Sequence, residues 1–398
     1  MSQDPLLAHR ERFPILARCN YLVNHSLGAM PRDAYRSLAE YADDWAEMGV
    51  EAWGERWWAL NGTVGDQFAA LIHAPPGSIS MHPNASIILS ILLSAFDFSD
   101  RKRDRVVVSS LIFHTDYYVL NEMLPDHVEL VVVESPDGIH VPAEAMCAAI
   151  DERTRFVLVN HVLFRSGFIM PVQAIAERAT QVGAEIIVDG YHSVGIIPVD
   201  VEQLGVDYYI GGGLKWMCGG PGAVFLYVRP DRLPHLRPKI TGWFAHQRPF
   251  DFEVAAIELR DDAYRMLNGT FPVASLYAVQ PGIRIIGEVG VEQIRAKSRR
   301  QTASLYESAS AAGFVIRSPA NPDERGGMVV IDPPHSRAVS QAMLARGIKI
   351  DYRPLAGIRV APHFYNSDEE VRAAVAAMVE ILNSGEWKAY AGVEMPVG

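Results

Sequence analysis

Asp189 and Lys215, 215 − 189 = 26 residues apart, each follow a β-branched or aromatic apolar run, and together they define the chemistry open to this chain. Asp189 closes AEIIVD and His192 stands three residues later; Lys215 lies in IGGGLKWMCGGPG after a second apolar run. Two buried strands that deliver a carboxylate and an amine to one sheet edge meet the needs of pyridoxal 5′-phosphate (PLP). The amine forms the Schiff base, and the carboxylate keeps the pyridine nitrogen protonated so that the ring acts as an electron sink. Glycines on both sides of Lys215 let backbone approach a ligand closely. Desolvation beside a cationic imine lowers a lysine pKa, which suits the amine to later work as a base. A serine-nucleophile reading of Asp-Gly-Tyr-His-Ser is discounted, because triad members converge in space rather than adjoin in sequence, so Ser193 is set aside. His192 is expected to orient Asp189 or to pack on the cofactor face.

A phosphate cradle is the next requirement. In SMHPNASIILSILLSAF, Asn84 and Ala85 open an apolar helix after Pro83. Such a terminus offers free N–H groups and a favourable dipole to a dianion, although Asn is also a common purely structural N-cap. The GGPG run at Gly219–Gly222 precedes a strand where a dinucleotide fingerprint must follow one. Neither GxGxxG nor GxxxxGK occurs, so NAD and ATP are rejected. The thirteen histidines form no HExxH or His–Cys cluster, and no metal is expected.

The elements that position these groups follow a single α/β alternation. Residues 32–73 read as two helices rich in aromatics (Trp45, Trp53, Trp57, Trp58), a cluster assigned to core or subunit contact. Strand-like runs follow at Arg105–Ser110, Val128–Glu134, Arg155–His161, Ala184–Asp189, Asp207–Gly211 and Ala223–Val228, with a helical pattern over Val172–Val182. This order implies a mostly parallel sheet covered on both faces. Ligands bind beyond the carboxyl ends of such strands, where Asp189 and the lysine loop belong. After about residue 284 the pattern changes to a long helical stretch, GMVVID, an amphipathic helix near 336–346, IKIDYRP and GIRVAPHF. The expected organisation is an N-terminal segment (1–50), a large α/β domain (51–284) and a small α+β domain (285–398).

Composition agrees with a soluble enzyme. The chain has 398 residues, 49% hydrophobic and 21% charged, enough for a sizeable core. A net charge of −11 disfavours nucleic acid and anionic membrane as partners. Three cysteines (Cys19, Cys147, Cys218) lack a paired framework, and no signal peptide or run of roughly 18 apolar residues occurs, so a cytoplasmic location is expected.

From about residue 20 to 385 the chain resembles kynureninases, a branch of the fold-type I, class V aminotransferase-like PLP enzymes. YLVNHSLGAMPR resembles a YLDGNSLG-type motif, which implies substrate contacts from His25 and Ser26. IFHTDYY resembles FPTDxY, which implies that Phe113 stacks on the pyridine ring and Asp116 orients cofactor or substrate. VDGYHSVG and the lysine loop match the Asp, His and Schiff-base Lys positions. TGWFAH is similar to a GWF segment, placing Trp243 near the phosphate or substrate pocket. NGTFPVASL resembles a GTPPV-type segment, in which Thr270 reaches the phosphate from the neighbouring subunit of a homodimer. DYRPLAGIRVAPHFYN resembles RxPxxIRxxPxxxYN, which implies that Arg359 clamps the substrate α-carboxylate, a task suited to a bidentate guanidinium. Three departures stand out: Leu214 where the family has Tyr, HVLF at His161–Phe164 for an HVNY-like segment, and His114 in place of proline.

The resemblance implies a hydrolase that cleaves the Cβ–Cγ bond of a kynurenine-type amino acid. The departures keep open a class V aminotransferase, epimerase or lyase acting on another amino acid. A desulfurase is disfavoured because Cys218 lies in a tight glycine-rich loop. A non-catalytic relative is disfavoured by the retention of Lys215, Asp189 and Arg359 together.

Overall fold

All six apolar runs between residues 105 and 228 form strands, each with its ends within one residue of those expected. The computed structural model describes residues 4–252 and 254–392. In chain order, β1 (Asn20–Tyr21) is followed by α1 (Ala34–Met48), α2 (Trp58–Leu71), β2 (Ile79–His82) and α3 (Ala85–Ala95). Then come β3 (Arg105–Ser109), α4 (His114–Met123), β4 (Glu129–Val133), α5 (Ala143–Ala149), β5 (Thr154–Asn160), α6 (Val172–Val182), β6 (Glu185–Asp189), α7 (Val201–Leu204), β7 (Tyr208–Gly212) and β8 (Val224–Val228). Two long helices, α8 (Val273–Val289) and α9 (Val291–Ala311), lead to β9 (Val315–Ile316), β10 (Val329–Asp332), α10 (Ser336–Ala345), β11 (Ile348–Lys349), β12 (Asp351–Arg353), β13 (Gly357–Val360) and α11 (Asp368–Ser384).

The large sheet has the order β2-β8-β7-β6-β5-β3-β4. Strands β4, β3, β5, β6 and β7 run parallel, and β8 pairs antiparallel with both β7 and β2. Parallel strands are covered on both faces, which is why they are apolar at consecutive positions. Neighbouring side chains accordingly enter different cores. Val157, Val159, Ile186 and Val188 pack with residues of α2, α6 and α8 on one face. Phe156, Leu158 and Ile187 pack with α3 and Leu120 on the other. β2 was not anticipated: its four residues directly precede the cap of α3, and its burial comes from β8 rather than from any pattern of its own.

A second sheet, β12-β13-β10-β9, has its own core with α9, α10 and α11. The helical stretch read after residue 284 begins earlier, at Val273, because α8 packs beneath the lysine loop: a Cβ on Gly282 would lie 2.0 Å from the Met217 carbonyl oxygen.

The N-terminal segment joins the two sheets. β1 pairs in parallel with β11, Leu22 N–H donates to Lys349 O (2.8 Å), and Ala361 N–H donates to Leu22 O (2.7 Å). Gly28 N–H then donates to Leu214 O (2.9 Å), and a Cβ at Gly28 would sit 2.0 Å from the Lys215 carbonyl oxygen. Gly28→Ala is expected to cost about 1–3 kcal/mol through overpacking and to reduce cofactor retention, both measurable by urea unfolding followed through cofactor absorbance. An unchanged midpoint would mean that the loop has room to move. Among the described residues, no helix is long and apolar enough to cross a membrane.

Candidate active site

Asp189 ends β6 with its carboxylate buried, and β5 ends beside it at Asn160, its register partner. Asn160 Nδ2 donates to Asp189 Oδ2 (2.7 Å) and to Asp116 Oδ2 (2.9 Å), while its Oδ1 accepts from Phe113 N–H (2.9 Å). The Tyr191 N–H completes the set on Asp189 Oδ1 at 2.9 Å. Asn160 and the Tyr191 backbone therefore orient Asp189, and of the two roles expected for His192 its place in the cavity wall agrees with packing on the cofactor face. Burial, then the neighbouring Asp189, push the Asp116 carboxyl well above the ordinary carboxylate range, so Asp116 is held neutral.

Lys215 leaves the end of β7 in the loop before β8. Its Nζ lies 4.6 Å from the Tyr191 ring centroid and 5.7 Å from that of Phe113. Burial lowers its pKa from 10.5 to about 8; Asp189 opposes the shift and Arg359 adds to it. The neutral, nucleophilic amine therefore gains population as pH rises through about 8. The rate of PLP attachment to cofactor-free protein is expected to climb with pH and level off above that value. A profile still rising at pH 10 would contradict the environment described.

These groups surround a cavity of about 230 Å³. Asn84, Ala85 and Ser86 at the start of α3 line one end, with Phe113 and Thr115 at the start of α4. Val162, Phe164, Tyr191, His192 and Leu214 complete the wall around Asn160, Asp189 and Lys215. The Asn84 side chain accepts from Ile87 N–H (2.9 Å), which leaves the first N–H groups of α3 for an anion. The donor set fits PLP: an amine of lowered pKa, a buried carboxylate held only by neutral donors, and a helix N-terminus at the same cavity.

Of the other expected residues, His25 and Arg359 approach this wall from behind. His25 is fully buried with its ring centroid 6.3 Å from that of His192. Burial, followed by Arg359, lowers the His25 pKa to about 4. Burial, then Lys215, Arg359 and His25, push His192 well below the ordinary histidine value, so both rings are neutral. Arg359 does not line the cavity. Its Nε donates to Asp351 Oδ1 (2.7 Å), its Nη2 to Asp351 Oδ2, and its Nη1 to Phe164 O (2.9 Å). Arg359, expected to clamp the substrate α-carboxylate, is held by Asp351, the counter-charge that a buried guanidinium needs.

Ser26 lies in a turn, its N–H on Val23 O (2.9 Å), and is not part of the wall. Trp243 is 40% exposed and packs against Trp58 and Phe244; Thr270 is exposed, and neither reaches this chain's cavity. Ser193 Oγ donates to Gly190 O (2.7 Å) and pairs with Tyr209 OH (2.6 Å), away from the cavity. Among the described residues, no group of acids, histidines and cysteines is arranged to hold a metal. The reading missed Ser86, Thr115, Asn160, Val162 and Tyr191. Of these, Asn160 carried a signal, being the polar residue that closes the apolar run beside β6.

The comparisons with known proteins cover nearly the whole chain. The model of the aminotransferase class-V family matches residues 21–379. The kynureninase of Pseudomonas fluorescens is 32% identical over 401 residues, 97% of this chain and 94% of that protein. The kynureninase of Geobacillus thermodenitrificans is 29% identical over 405 residues, 98% of this chain and 94% of that protein. Among solved structures, the apo cysteine desulfurase of Thermococcus onnurineus NA1 superposes with a TM-score of 0.86 at 21% identity, covering 96% of this chain and 99% of that one. A C-DES variant with glycine covalently linked to its PLP cofactor gives 0.85 at 19% identity, covering 93% and 99%. At these identities the two structures speak to the fold alone. Their shared architecture, the donor set around Lys215 and the near-complete family match lead to one conclusion: the chain belongs to the class V aminotransferase family, is of the kynureninase-like type, and uses PLP as its cofactor.

Proposed function

We propose that the chain is a hydrolase of kynurenine-type amino acids, cleaving Cβ–Cγ with one water to give alanine and an aromatic acid, anthranilate from kynurenine itself. The observation that carries the reading is the Lys215–Asp189 cavity in a chain whose curated relatives are kynureninases along almost their full length. When bound, PLP withdraws electrons from the substrate α-carbon. Lys215 would hold the cofactor, and its Nζ would take the substrate α-proton, a transfer that needs approach to about 3 Å. Asp189 keeps the pyridine nitrogen protonated, and Asn160 keeps Asp189 in place. Phe113, Val162 and Phe164 give the cavity an apolar side suited to an aryl ring. Arg359 offers its remaining N–H groups to the α-carboxylate. The same reading puts Trp243 and Thr270 of one copy at the cavity of a second, in a cytoplasmic homodimer.

A second reading, a class V aminotransferase, epimerase or lyase for another amino acid, is favoured by Leu214. It lines the cavity, as does Phe164 of the HVLF departure; Leu163 is wholly buried outside the lining, and the His114 ring lies tilted against Phe113 with centroids 4.2 Å apart. Desulfuration has no support from the thiols. Burial pushes Cys218 up to about 12, its Sγ lies 3.8 Å from Tyr365 OH, and among the described residues no cysteine lines the cavity. Holoenzyme mixed with L-kynurenine is expected to release fluorescent anthranilate and alanine in equal amounts. Absence of anthranilate, with turnover of another amino acid against pyruvate or α-ketoglutarate, would replace the first reading by the second.

A further inference from the structure

We propose that Asp351 is the positioning residue of the substrate end of the cavity, one carboxylate fixing both the guanidinium of Arg359 and the ring tautomer of His25. The proposal rests on the reading that Arg359 receives the substrate α-carboxylate. Asp351 and Arg359 face each other as register partners on β12 and β13, 5% and 3% exposed. Asp351 holds the Nε–Nη2 edge of the guanidinium, and the Phe164 carbonyl takes a hydrogen from Nη1. Of five guanidinium N–H groups, 5 − 2 − 1 = 2 remain, one on each terminal nitrogen, the number that a carboxylate fork accepts. A guanidinium already held along one edge has little freedom left to lose when substrate arrives.

The same carboxylate sets His25. His25 Nε2 lies 3.1 Å from Asp351 Oδ1, and an acceptor-only carboxylate at that distance requires the proton on Nε2. The Nδ1 lone pair is buried and has no hydrogen-bond partner among the described residues. Arg353 adds a further contact, Nη2 to Asp351 Oδ2 at 3.2 Å. Asp351 itself is outside the cavity and acts through residues that touch the wall. Phe164, whose carbonyl binds Arg359, lines the cavity, as does His192, the ring neighbour of His25.

The test uses full-length, PLP-loaded Asp351→Asn, Asp351→Glu and Arg359→Ala, with binding of L-alanine and of ethylamine read from the cofactor absorbance. Ethylamine lacks the carboxylate, so the ratio of the two dissociation constants isolates its recognition. Asp351→Asn is expected to raise the L-alanine to ethylamine ratio by on the order of tenfold, through the L-alanine constant alone, and Asp351→Glu to reverse part of that rise. A loaded Asp351→Asn enzyme whose ratio stays within about twofold of the wild type overturns the proposal. If Arg359→Ala loses discrimination while Asp351→Asn keeps it, positioning by Asp351 fails and the carboxylate reading stands. If neither variant loses discrimination, the Arg359 reading itself has failed, and the proposal with it. Should Asp351→Asn not fold, ¹⁵N spectra of histidine-labelled wild-type protein decide: a His25 proton on Nε2 supports the proposal, and one on Nδ1 overturns it.

Discussion

Lys215→Ala is expected to lose turnover by at least ~10⁴-fold, the combined removal of the covalent anchor and of a base whose positioned proton transfer alone contributes about 10²–10⁴. The loss has two separable parts. Absorbance of the purified variant should lack the band that borohydride abolishes in the wild type, since among the described residues no other amine lines the cavity. Added primary amines act as a surrogate base only if the wall stays intact, so a folded variant with partial rescue would locate the defect in chemistry rather than in structure. Retention of the band in Lys215→Ala would remove the basis of the whole site assignment. Cavity shape is not expected to change much, because the loop backbone is fixed independently by Gly28 N–H on Leu214 O and by α8 beneath it.

Asp189→Asn is expected to reduce kcat by on the order of 10²–10³, the scale found when one fixed electrostatic stabiliser is removed. The amide is nearly isosteric and its oxygen can still accept from Asn160, so binding of cofactor survives better than turnover. What disappears is the negative charge that keeps the pyridine nitrogen protonated. The substitution has a second signature. Part of the upward push on the Asp116 carboxyl comes from Asp189, so its pKa should fall in the variant, visible as a shifted carboxyl titration. A kcat within about threefold of the wild type would show that ring protonation does not depend on this acid.

The chain shows how unevenly a site is written into its sequence. Five of the six strands from β3 to β8 were legible because they are buried on both faces, and a continuous β-branched run leaves little else to become; β4, half-buried at the sheet edge, was legible from its apolar run alone. Asp189 and Lys215 were legible because they break that apolar pattern at the sheet edge. Asn160 breaks it too, yet its function depends on lying beside Asp189 across two strands separated by α6, a relation fixed by register rather than by local sequence. Ser86, Thr115 and Tyr191 sit next to residues that were named, and only the direction of each side chain distinguishes them. Arg359 was identified from its surrounding motif. Its bond to Asp351, only 359 − 351 = 8 residues away, depends on the antiparallel pairing of two short strands. Trp243 and Thr270 were assigned to a cavity that a single copy of the chain does not let them reach.

Leu22 spends both its backbone groups on the C-terminal sheet region, and Gly28 ties the same short stretch to the carbonyl of Leu214. Ala361, which receives one end of that strut, is two residues beyond Arg359. The backbone just past Arg359 and the residue preceding Lys215 are thus braced by one short stretch of chain, hydrogen-bonded at both of its ends.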